Sequence, residues 1–118
     1  MWTVRTKREG SEALVTDYQK NILTKLLENN KQISSGEMHK HLIEIMGDKA
    51  PSRASIIFFM NDLVDANYAH FDEATGKGGY HRLYNIKLDT KEFVILVTSD
   101  INKILTDAMI DIFYKDEV

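Results

Sequence analysis

The side chains best suited to chemistry fall in two short segments. Lys49 stands just before Pro51, and Ser52-Arg53-Ala54-Ser55 follows; further on, Lys77, His81 and Arg82 lie among Gly76, Gly78 and Gly79. Pro51 biases Ala50 away from helical angles, and Ser52 can then cap a helix that starts beside it. The free backbone amides of a helix start attract phosphate oxygens, and small hydroxyl residues let a polyanion come close. A guanidinium there adds charge and a fork that matches the edge of guanine. Lys49, Ser52, Arg53 and Ser55 meet those requirements together, and this is the chemistry of duplex-DNA binding. Lys77, His81 and Arg82 have the residue types of a second contact, lying on phosphates or in the minor groove. The ordinary alternative is a capped helix with a solvated Arg, and a hairpin made soluble by its charges.

Other chemistries fit less well. Glu37, His41 and Glu44 share a helical face at i, i+4 and i+7, but two carboxylates and one His are also the usual make-up of a solvated face. No metal and no other cofactor is expected. Gly76-Lys77-Gly78-Gly79 lies between two strand-like runs instead of opening a helix, so it lacks the setting of a phosphate loop. No Ser, His or Asp sits in a nucleophile motif, and Cys is absent, so the chain is not expected to be an enzyme.

Composition bounds the rest. With 118 residues the chain has room for one domain, and 43% hydrophobic with 28% charged residues marks a globular protein. The lack of Cys excludes disulfides and thiolate zinc sites and suits a cytoplasmic protein. No apolar run reaches membrane-spanning length, and the first ten residues lack a leader's apolar core, so neither a span nor a secretory leader is expected. Net charge is −3, which taken alone disfavours a polyanion partner. The distribution softens that: residues 1–87 carry 12 basic and 11 acidic side chains, residues 88–118 carry 3 and 7. The acidity is concentrated in the last quarter.

Several elements must position these residues. Residues 1–10 read as a basic arm or a short edge strand. Thr16 and Gln19 have capping-box spacing and open a helix with Tyr18, Ile22, Leu23, Leu26 and Leu27 on its buried side, ending at Asn29-Asn30. Ser34 with Glu37 opens a second, buried through Met38, Leu42 and Ile45 or Met46 and stopped by Gly47. The third helix spans 52–67, with Ile56, Met60, Leu63 and Val64 inward and Asn67 at its end. Its rotation sends Phe58, Asp62 and Asp65 outward; an exposed Phe calls for a cover, either the N-terminal arm or a partner subunit, with contact to a thymine methyl as the other reading. Two aromatic runs, 68–71 and 80–86, flank a Gly-rich turn and predict an antiparallel hairpin, with His70 and His81 near each other. Asp89 with Glu92 caps a long final amphipathic helix.

Three helices, a hairpin and a long helix predict an α+β winged helix-turn-helix, three helices plus a β-hairpin wing, with a C-terminal dimerisation helix. The expected divisions are an arm over 1–13, a DNA-binding domain over 14–88 and a dimerisation helix over 89–118. In the last, Val94, Val97, Ile101, Ile104, Leu105, Ala108 and Ile112 form a stripe wide enough to pack on the chain's own domain and on a twin. Leu14-Val15-Thr16-Asp17-Tyr18-Gln19, Ser52-Arg53-Ala54-Ser55-Ile56, Met60-Asn61-Asp62-Leu63-Val64 and Gly78-Gly79-Tyr80-His81-Arg82-Leu83-Tyr84 resemble the penicillinase-repressor family of winged-helix regulators, in its archaeal-type form, across about residues 14–95. The resemblance implies a homodimeric transcriptional repressor on a palindromic operator, with Ser52, Arg53 and Ser55 facing the groove and Lys77 and Arg82 serving the wing. The chain departs from that pattern at Phe58 and Asp62, and its final region is shorter than the family's. The expected function is sequence-specific regulation of transcription. The alternative is a winged helix used for protein–protein contact, which a continuous apolar patch on helix 52–67 would favour.

Overall fold

The computed structural model describes residues 1–28, 31–76 and 79–114. Among them, α1 spans Asp17–Glu28, α2 Ser35–Met46, α3 Arg53–Asp65 and α4 Thr90–Phe113; the strands are β1 (Ile33–Ser34), β2 (His70–Gly76) and β3 (Gly79–Asn85). The chain forms two compact units, Met1–Lys87 and Leu88–Val118.

Local chemistry sets the helix boundaries. At α1 the Thr16 amide donates to Gln19 Oε1 at 3.0 Å, one half of the expected capping box. The Glu37 amide donates to the Ser34 hydroxyl at α2, and the Ser55 amide to the Ser52 hydroxyl at α3, each at 3.2 Å. Gly47 closes α2 at φ 58°, ψ −126°, a backbone region that a side chain strongly disfavours. After α3 the Tyr68 amide reaches back to the Leu63 carbonyl and the Asn67 amide to that of Val64, at 2.9 and 3.0 Å. These two bonds make a Schellman stop around Asn67, whose φ is 66°. The helix therefore ends two residues before Asn67.

The sheet has the order β1-β3-β2, antiparallel throughout. Pairing of β2 with β3 runs from His70↔Asn85 to Gly76↔Gly79, so the strands extend well into the expected turn. His81 stands opposite Ala74 and His70 opposite Asn85, which separates the two histidines. The two-residue β1 had no counterpart in the sequence reading; it pairs Ile33 with Tyr84 and Ser34 with Leu83. Three helices backed by this small sheet are a winged helix-turn-helix. Its core gathers Ile22 and Leu26 from α1, Met38 and Leu42 from α2, Ile56, Met60 and Leu63 from α3, Tyr84 from β3 and Ile86 just after it. Ile45 is exposed and Met46 half-buried, so Met46 is the one that turns inward on α2.

Residues 1–9 contain no strand and form an arm. Trp2 anchors it, its indole Nε1 donating to the Tyr68 hydroxyl at 2.8 Å with the two rings edge to face at 5.6 Å. In the second unit α4 begins with a complete capping box between Asp89 and Glu92. Phe93 and Val97 are its buried residues, while Ile104, Leu105, Met109, Ile112 and Phe113 are exposed. Among the described residues no helix is long and apolar enough to cross a membrane.

Candidate nucleic-acid interface

The leading end of α3 is built by the turn before it. A 3-10 turn at Gly47–Lys49 and the extended Ala50 bring Lys49 up to the helix start, where Ser52 caps. The Ser52 and Ser55 hydroxyls lie 3.1 Å apart and share a hydrogen bond. Arg53 turns back toward α2: its Nε and Nη2 both sit 3.4 Å from the Ser35 hydroxyl, long for a hydrogen bond. A Cβ added at Gly36 would lie 3.6 Å from Arg53 Nη2, so the guanidinium passes over the first turn of α2. The structure thus joins one exposed cation to the amide-rich starts of two helices.

The hairpin treats its cations differently. Tyr84 and Ile86 are buried, and strand alternation places Arg82 on the same face. Arg82 Nη1 donates to Asn61 Oδ1 at 3.0 Å, and its guanidinium carbon lies 3.9 Å from the centre of the Phe71 ring. The Tyr84 hydroxyl donates to the same Asn61 Oδ1 at 2.6 Å. One amide oxygen on the third turn of α3 therefore accepts from two residues of β3 and ties helix to wing. Burial pushes the Tyr84 phenol above its ordinary range, and the nearby positive charge of Arg82 opposes that shift. His81 lies on the other face of β3. Lys77 falls outside the described residues.

Phe58 occupies the middle of the outer face of α3, 75% exposed. The N-terminal arm does not cover it; the arm is pinned at Tyr68 instead. A shallow, open groove of about 340 Å³ runs beside Phe58, with Tyr18 and Gln19 on one wall and Ala54, Ser55 and Asp62 on the other. No group of three or more His, Asp or Glu placed to hold a metal occurs among the described residues.

Sequence reasoning identified the α3 start and missed three partners: Ser35 beneath Arg53, and Asn61 and Phe71 around Arg82. The alternation of Tyr84 and Ile86 was a usable signal for Arg82. Nothing local pointed to Ser35.

No protein-family profile and no curated protein matches the chain. The fold recurs in solved structures of other proteins, among them these two. One is a candidate transcriptional regulator from Thermoplasma acidophilum, 20% identical over 76% of this chain and 90% of its own, with a TM-score of 0.53. The other is the Orc1 protein of Aeropyrum pernix in complex with DNA, 15% identical with a TM-score of 0.53. There the similarity covers 73% of this chain but 24% of that one.

Proposed function

We propose that the chain is a sequence-specific, DNA-binding regulator of transcription, acting as a homodimer and repressing by blocking polymerase. One observation carries the reading: Arg53 is exposed and lies across the adjoining starts of α2 and α3, with Lys49 and Ser52 beside it. The amides of two helix starts and the two cations beside them make a phosphate-binding edge. From there the first turns of α3 enter the major groove, and the hairpin serves as the wing, with His81 toward the backbone. The fold shared with the candidate regulator from Thermoplasma and with Orc1, a protein solved on DNA, supports this assignment. The exposed apolar side of α4, through Ile104, Leu105 and Ile112, supports pairing with a second copy; Val94 and Ala108 are exposed as well, whereas Ile101 is half-buried and Val97, expected on the pairing stripe, is buried. Binding, without catalysis, is the function proposed.

Fluorescence anisotropy with duplex fragments from upstream of the chain's own gene tests it. Affinity should fall steeply and log-linearly with salt as counterions are released. Arg53→Ala should weaken binding to every duplex alike and lower the salt slope by about one, as loss of one phosphate contact does. Binding that is indifferent to salt, or an unchanged slope in the variant, would refute the assignment.

A second reading has one observation in its favour. Phe58 and the groove beside it form an apolar patch on the face meant for DNA, as a protein-binding winged helix would present.

A further inference from the structure

The outer face of α3 decides what this helix can recognise. At 100° per residue, Ala54, Phe58, Asn61 and Asp65 lie opposite the buried Ile56, Met60 and Leu63, with Ile57 alongside. The polar side chains near the leading end are engaged elsewhere. Ser52 and Ser55 bond to each other, and Arg53 points at Ser35. Asn61 Oδ1 already accepts from Tyr84 and Arg82. What the first two turns offer outward is a methyl group, part of an isoleucine and an exposed phenyl ring.

Major-groove base edges present hydrogen-bonding groups at every pair, and one apolar feature: the C5-methyl of thymine. An apolar reading face matches that feature alone. Charge orients the helix for it, since Lys49 and Arg53 stand at the leading end while Asp62 and Asp65 stand at the trailing end. A polyanion therefore admits the first turns and repels the last. Resting on the DNA-binding assignment above, we propose that α3 selects thymine-rich sites by packing Phe58, with Ala54 and Ile57, against thymine methyl groups in the major groove. Sequence choice then comes from methyl burial, while Arg53 and Lys49 supply affinity through phosphates.

Two labelled duplexes of equal length test this: alternating dA·dT, and the same duplex with deoxyuridine in place of thymidine. They differ in the C5-methyl. The protein should bind the thymine duplex more tightly, by about fourfold for each methyl group withdrawn from water. Phe58→Ala should bind both duplexes alike with the parent's salt slope, and Phe58→Leu should keep much of the preference. Because Phe58 is exposed, both variants should retain the parent's circular dichroism and melting profile. Equal, salt-sensitive binding of both duplexes by the parent overturns methyl recognition while DNA binding stands. A preference that survives in Phe58→Ala overturns it as well. Failure of the parent to bind either duplex at low salt overturns both assignments and leaves the Phe58 patch to a protein partner.

Discussion

Replacing Asn61 by Ala removes the single acceptor shared by Tyr84 and Arg82. Tyr84 is 3% exposed, so its hydroxyl has little access to water once Asn61 Oδ1 is gone. A buried donor left without a partner costs about 1–3 kcal/mol. Arg82 is exposed and keeps its seat over Phe71, so it exchanges Asn61 for water at small cost. Ala favours the helix over Asn by roughly 0.5 kcal/mol, which offsets part of the loss. The net expectation is a destabilisation of about 1–2 kcal/mol. Tyr84→Phe removes the donor instead, and the double variant has no orphaned group. The double variant should therefore be more stable than the two single losses predict, by about 1 kcal/mol of coupling. Urea titrations followed by circular dichroism at one protein concentration measure the cycle. Additive single losses, or an Asn61→Ala change that costs nothing, would refute the idea that one amide oxygen holds wing and helix together.

The folded protein holds Tyr84 neutral with its phenol pushed up, so stability should be full below about pH 10 and fall as pH rises through the folded value. The fall should be shallower in Tyr84→Phe, measured as unfolding midpoint against pH, and an identical pH profile in the two proteins would contradict it. Leu105→Glu places a charge on the exposed apolar side of α4 and should convert a dimer to a monomer in light scattering after size exclusion, without loss of helix content. A parent protein already monomeric at high concentration would remove α4 as the pairing surface.

Much of the architecture was legible because its signals are local. The Asp89–Glu92 box, the Ser34 and Ser52 caps, Gly47 and Asn67 each act within a few residues, and each marks the boundary its chemistry implies. The site was less legible because long side chains choose partners that are remote in sequence. Arg53 bends to Ser35, 18 residues away, and Arg82 to Asn61, 21 residues away; neither spacing carries a helical or strand period. The strand Ile33–Ser34 is too short for alternation to show, and its two pairings depend on where β3 passes. The hairpin was expected to open at Asp72, but cross-strand pairing outweighs the turn preference of its small and polar residues as far as Gly76.

The lengthwise charge order of α3 has a consequence for how fast a complex forms. Positive side chains at the amino end and carboxylates at the carboxyl end add to the helix's own dipole, which has the same sense. Such a rod feels a torque in the field of any polyanion before the two surfaces touch. Most random encounters fail through wrong orientation, so a field that turns the molecule in flight raises the fraction that succeed. Exchanging the two ends' charges would leave the total unchanged and should slow association more than it alters dissociation.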